Sequence, residues 1–165
     1  MTGPAEPQVV LVCGPAGSGK STHARRLERA GRVRLSFDDE AWARGYRTHP
    51  LDAEAAAEVH AHLHTELVRL VRAGRDVVVD TSFWSRASRD AYRAVLAPTG
   101  APVVVHLMDT PRDVVLERLA ARRGTGGDDV VVPPDLAVAY LDGFEVPTPD
   151  EGPLVVVPGV AAPES

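Results

Sequence analysis

The chain has almost no lysine: Lys20 stands alone against 17 arginines among 165 residues. Cysteine is equally scarce, and a lone Cys13 excludes an intramolecular disulfide. No apolar run approaches the roughly 18 residues needed to cross a bilayer, so a membrane role has no support. The opening residues MTGPAEPQ lack the basic and apolar regions of a secretory leader, and a cytosolic protein is expected. No block of basic residues exists and the net charge is −5, which removes any general attraction to nucleic acid but leaves room for a local basic groove. Repeats, low-complexity linkers and a second domain are also missing. A single domain over residues 1–165 is therefore expected, long enough to bury a core without staples.

What is present alternates. Gln8 to Cys13 is a continuous apolar run, followed by GPAGSGKST and a helical pattern to Ala30 closed by Gly31. Val33 to Ser36 makes a second strand, and Phe37 to Thr48 is an irregular, charge-rich stretch. Asp52 to Ala73 predicts a helix with Val59, Leu63, Leu67 and Leu70 on one face. Val77 to Val79 is a third strand ending in Asp80-Thr81-Ser82, and Ser85 to Leu96 a helix ending before Pro98. Pro102 to Met108 gives a fourth strand. Thr110 is the expected cap of a helix that starts at Pro111 and runs through Arg122 or Arg123. Asp135 to Phe144 is a last helix and Leu154 to Val157 a fifth strand. Five all-apolar strands alternating with helices predict an α/β fold with a parallel sheet covered on both faces, its ligands beyond the carboxyl ends of the strands.

At that edge Gly14-Pro15-Ala16-Gly17-Ser18-Gly19-Lys20-Ser21 matches G-x-x-x-x-G-K-[ST] in full, between a buried strand and a helix start. Such a loop turns backbone N–H groups inward around phosphate oxygens. Gly14, Ala16, Gly17, Ser18, Gly19 and Thr22 are thus expected to bind nucleotide, Lys20 to bridge the outer phosphates, and Ser21 to ligate magnesium. Asp38 and Asp39 follow strand two, where a carboxylate could take the proton of an incoming hydroxyl. A solvated turn or helix cap is the plainer role, and Asp38 is the better functional candidate of the two. Asp80, ending VVVD, is placed for the magnesium shell. Position 81 is Thr rather than Glu, so no residue there can activate water, which favours transfer to a bound acceptor over hydrolysis.

Arg118, Arg122 and Arg123 precede Gly124, Gly126 and Gly127. They read either as a lid over about residues 118–130 or as ordinary basic pairing with a helix C-terminus. His60 and His64 share a helix face with His62 nearby, but no third metal ligand is placed, and a solvated face is the simpler reading. Trp42 and Trp84 could stack on a base or sugar, or pack in the core.

The segments GPAGSGKSTHARRL, SFDDEAWAR, VVVDTSFWSRASRDAYR and VHLMDTPRDVVLERLAARRGTG resemble the P-loop kinases of AAA-type family 33 over most of the chain. That group includes phage-type polynucleotide 5′-hydroxyl kinases and is close to the zeta-toxin and chloramphenicol phosphotransferase families. The resemblance implies a three-layer P-loop NTPase fold with a five-stranded parallel sheet, ATP as donor, magnesium and a short arginine-containing lid. It assigns Lys20 and Ser21 to the phosphate loop, Asp38 to acceptor activation, Asp80 to the D-T-N carboxylate, and Arg122 or Arg123 to the lid. Two departures stand out. Ala41 replaces a frequent arginine, and Ser82 replaces the Asn of D-T-N.

The expected activity is transfer of the γ-phosphate of ATP to a hydroxyl of a small molecule. Asp38, Asp39, Arg44 and Ser82 are the candidate acceptor contacts, and Arg44 or Arg47 could supply the phosphate contact missing at Ala41. A polynucleotide 5′-hydroxyl kinase is the alternative, since a nucleic-acid end would use the same chemistry. A P-loop ATPase or nucleotide switch is a further one. A guanine-reading N-K-x-D is impossible with Lys20 as the sole lysine, and a form that only binds nucleotide is not distinguished by sequence.

Overall fold

The strands form one parallel sheet whose central members, Val9–Cys13 and Val77–Asp80, are buried on both faces. A computed structural model describes residues 7–47, 51–126 and 130–160. Its strands are β1 (Val9–Cys13), β2 (Val33–Ser36), β3 (Val77–Asp80), β4 (Val103–Asp109) and β5 (Leu154–Pro158), in the order β2-β3-β1-β4-β5 with every pairing parallel. The helices are α1 (Lys20–Arg29), α2 (Phe37–Ala43), α3 (Ala53–Arg72), α4 (Arg86–Leu96), α5 (Arg112–Ala120) and α6 (Pro134–Gly143). This is an α/β P-loop NTPase-like fold.

The pleat of β1 divides the core. Val9, Leu11 and Cys13 face a cluster with Leu67, Val71, Tyr92 and Leu96 of α3 and α4, whereas Val10 and Val12 face Ala24 of α1 with Met108. Burial pushes the Cys13 thiol up to about 12, so it packs as a small neutral group. Val59, Leu63, Leu67 and Leu70 all lie on the buried stripe of α3.

Four expectations change. Phe37 to Ala43 is a helix, not an irregular stretch: the Ser36 Oγ accepts from the Asp39 N–H at 3.1 Å, and Asp38, Asp39 and Glu40 place negative charge in the first turn. Thr48 lies outside the described residues. Thr110 does not cap α5. Its hydroxyl instead donates to the Ser18 carbonyl at 2.6 Å, and Pro111 holds the cap position. α5 stops at Ala120, before Arg122. Finally β5 is an edge strand with Val155 and Val156 about half exposed, so it is not covered on both faces.

Register brings the polar strand ends together. Asp80 lies opposite Val12 on one side and Ser36 on the other. The loop after β1, the start of α2 and the segment after β3 therefore share one edge.

Candidate functional site

The loop after β1 has a conformation that few other sequences could adopt. Gly17 and Gly19 sit at φ +84° and +94°, and a Cβ on Gly14 would come within 2.4 Å of the Ser18 hydroxyl oxygen. Gly19 is the N-cap of α1 with no side-chain cap. The first N–H groups of α1 are thus left for an anion at the positive end of the helix. Neighbours brace the loop from behind. Besides the Thr110 bond to Ser18, Arg118 donates to the Gly17 carbonyl at 3.3 Å and to the Gly159 carbonyl at 2.7 Å. The Gly14 N–H donates to the Ser82 carbonyl at 3.1 Å.

Lys20, first residue of α1, is buried between two carboxylates: its Nζ lies 3.6 Å from Asp38 Oδ2 and 3.9 Å from Asp80 Oδ1. Burial raises the Asp80 pKa above the usual carboxylate range, and the Lys20 charge opposes that rise. The Ser21 side chain also opposes that rise, yet the buried Oδ2 of Asp80 has no hydrogen-bond partner among the described residues, only an ion pair to Arg34 at 3.5 Å. A hydroxyl beside an under-satisfied carboxylate suits magnesium, which binds one or two protein oxygens and keeps waters and phosphate oxygens for its other positions. Asp39 turns the other way and pairs with Arg34.

Two cavities open from this cluster. One, of about 510 Å³, is lined by Gly17, Gly19, Lys20, Ser21, Thr22, Arg118 and Arg122, with Gly159 on the far wall. The other, of about 410 Å³, runs from Ala16, Lys20 and Asp38 past Ser82 between α2, α3 and α6. Lys20 lines both.

The structure brings together the expected Gly14 to Thr22 loop, Asp38, Asp80, Ser82, Arg118 and Arg122. Arg123 lines neither of these cavities, and Gly127 lies outside the described residues. Arg44 pairs with Glu40 at 2.9 Å and Asp39 with Arg34, both away from the second cavity. Ala41, where the resemblance leads one to look for arginine, is buried against Val59 and Leu63. Trp84 is 58% exposed at the rim of the second cavity, so it is not a core residue, while Trp42 carries the Arg47 guanidinium 3.7 Å above its ring. His60 lines the second cavity with its Nδ1 2.8 Å from the Tyr92 hydroxyl. Sequence reasoning missed Phe37, Phe83, His60 and Tyr140 as lining residues. Only the amphipathic pattern of α3 hinted at His60.

The sequence model of the AAA domain family AAA_33 matches residues 9–147. No curated protein matches by sequence. Among solved structures, a sugar kinase from Janibacter sp. HTCC2649 superposes with a TM-score of 0.68 at 25% identity, covering 93% of this chain and 86% of its own. A gluconokinase from Sinorhizobium meliloti 1021 gives 0.65 at 25% identity, covering 95% and 85%. A Chloroflexus aurantiacus protein taken to be a kinase gives 0.76 at 19% identity, covering 93% and 89%, a likeness of fold.

Proposed function

The chain belongs to the AAA_33 family of AAA domains, and on that premise we propose that it is an ATP-dependent kinase that phosphorylates a hydroxyl of a small molecule. The observation that carries this reading is Lys20, buried at the junction of two cavities. A phosphoryl group handed from a donor in one to an acceptor in the other passes that ammonium.

In this reading the N–H groups of Gly17 to Ser21 and the Lys20 ammonium hold the β- and γ-phosphates. Ser21 and Asp80 would hold magnesium, whose charge would neutralise phosphate charge. Arg118 and Arg122 flank the phosphates from α5 and its C-terminal extension, the proposed lid. Asp38 orients the acceptor hydroxyl and takes its proton as the oxygen bonds to the γ-phosphorus and the bond to the departing ADP oxygen breaks. A sugar kinase and a gluconokinase among the structural neighbours support a small-molecule acceptor. Ala41 in the core adds no basic contact for a nucleic-acid end.

Acceptor-stimulated ADP release tests the assignment. Asp38→Asn should lower kcat by a factor on the order of 10² while ATP affinity stays within about twofold. If Asp38→Asn instead weakens magnesium-ATP binding, Asp38 belongs to the metal shell. Faster turnover with a 5′-hydroxyl oligonucleotide than with any small alcohol would favour the polynucleotide kinase.

A further inference from the structure

The second cavity is built for one kind of acceptor. Its far walls are apolar and aromatic: Phe37 from the start of α2, Leu51 before α3, Phe83 and Trp84 after β3, and Tyr140 and Phe144 from α6 and its end. Its polar lining groups are Asp38, Thr81 and Ser82, the His60 ring, the Tyr140 hydroxyl and the Ser88 hydroxyl, which already donates to the Ser85 carbonyl at 2.6 Å. Burial lowers the His60 pKa, favouring the neutral ring, and the Tyr92 hydroxyl at Nδ1 fixes it in place.

Cations are as informative by their placement. Among the described residues lining this cavity, Lys20 is the only cationic side chain, and it already faces Asp38 and Asp80. The arginines on the surrounding elements are engaged elsewhere. Arg44 pairs with Glu40, Arg47 covers Trp42 and donates to the Trp42 and Tyr46 carbonyls, and Arg86 pairs with Asp150. Arg89 is buried against Glu151 at 2.8 Å and also holds the Phe83 and Glu145 carbonyls.

We infer that the acceptor is an uncharged alcohol with a flat, largely apolar body. Among the described residues a carboxylate or phosphate on the acceptor would meet no cation other than Lys20, which already faces Asp38 and Asp80. A free polyol fits no better, because hydroxyls against Phe37, Phe83 and Phe144 lose water and gain no partner, a penalty that discriminates strongly between otherwise similar ligands. An aromatic body gains from the same walls. Trp84 and Phe37 supply ring faces, and a cavity of about 410 Å³ lies within the range that encloses a drug-sized molecule. The inference rests on the proposed phosphotransfer at Lys20 and sets the acceptor apart from gluconate-like and polynucleotide ones.

Calorimetric titration of the full chain, saturated with magnesium and a non-hydrolysable ATP analogue, tests it with two matched pairs. Thymidine and thymidine 3′-monophosphate share a ring and a 5′-hydroxyl and differ by one phosphate. Phenyl β-D-glucoside and D-gluconate contrast a neutral aromatic alcohol with an anionic polyol. At least one neutral member should bind 10-fold or more tightly than its anionic counterpart. Trp84→Ala should weaken that binding about 10-fold and Trp84→Phe restore most of it, and because Trp84 is exposed its removal leaves the core intact. Equal or tighter binding of the anions, no saturable binding of either neutral compound, or a Trp84→Ala variant that binds unchanged would overturn the inference. Binding of a neutral compound without any release of ADP from ATP counts against the phosphotransfer reading and not against the acceptor chemistry.

Discussion

Lys20 concentrates the account in one side chain. It is 5% exposed, flanked by two carboxylates, and followed by Ser21, which also lowers the Asp80 pKa. An arginine fork at this position would carry a wider, planar group into a pocket shaped for a compact ammonium. Lys20→Ala is therefore expected to lower phosphoryl transfer by a factor on the order of 10² to 10³, because the charge it supplies acts mostly in the transition state. The same change removes the cation that opposes the raised pKa of Asp80, so that pKa should rise further. Steady-state turnover of the variant measures the first, and wild-type turnover would contradict the assignment. Position 20 was readable from sequence because the phosphate loop needs its residue types at fixed spacing. Phe37, His60 and Tyr140 were not, since they come from α2, α3 and α6 and meet only after the sheet has placed those elements.

Among the elements, the strands were recoverable within a residue or two, because all but β2, with its Arg34, are mainly apolar runs bounded by glycine, proline or charge. α2 was not. Seven residues with three consecutive acids look like a loop until the Ser36 cap and its fit against Val59 and Leu63 of α3 are seen. Thr110 likewise carries the sequence signature of a cap, yet its hydroxyl is drawn to the Ser18 carbonyl. The proposed lid follows α5: Arg122 donates to the Val130 carbonyl at 3.2 Å and lines the phosphate-side cavity, and Gly124 sits at φ +78°. If this segment closes over nucleotide, amide exchange across residues 118–126 should slow at least several-fold with a non-hydrolysable ATP analogue and magnesium. Unchanged exchange there, with protection of the Gly14 to Ser21 loop, would leave the lid without support.

On the scale of the whole molecule, folding partly buries two histidines and favours their neutral form. His23 of α1 and His106 of β4 meet between the helix and the sheet with Nε2 and Nδ1 2.9 Å apart. Burial, followed by the neighbouring His23 and Arg32 charges, pushes His106 down to about 4, and burial lowers His23 as well. The unfolded chain, with histidines near 6.5, then binds more protons than the folded one between about pH 6.5 and 4. Stability is fully present above 6.5 and falls as pH drops through that window. Glu151, held at about 2 mainly by its hydrogen bond from Arg89, adds its own loss only below about 4.5. Urea unfolding should show wild type losing about 1–2 kcal/mol more than His106→Leu between pH 7 and 5. Parallel pH profiles for the two proteins would show that this pair does not set the dependence.

In the proposed reaction a phosphoryl group crosses from one cavity to the other at Lys20. Its most direct measurement follows γ-labelled phosphate from ATP in the presence of magnesium and a panel of alcohols. Label is expected in an acid-stable phosphomonoester of a small alcohol, lost in Lys20→Ala and reduced on the order of 10²-fold in Asp38→Asn. Label found only as inorganic phosphate, at a rate indifferent to every alcohol and unchanged by Asp38→Asn, would contradict it.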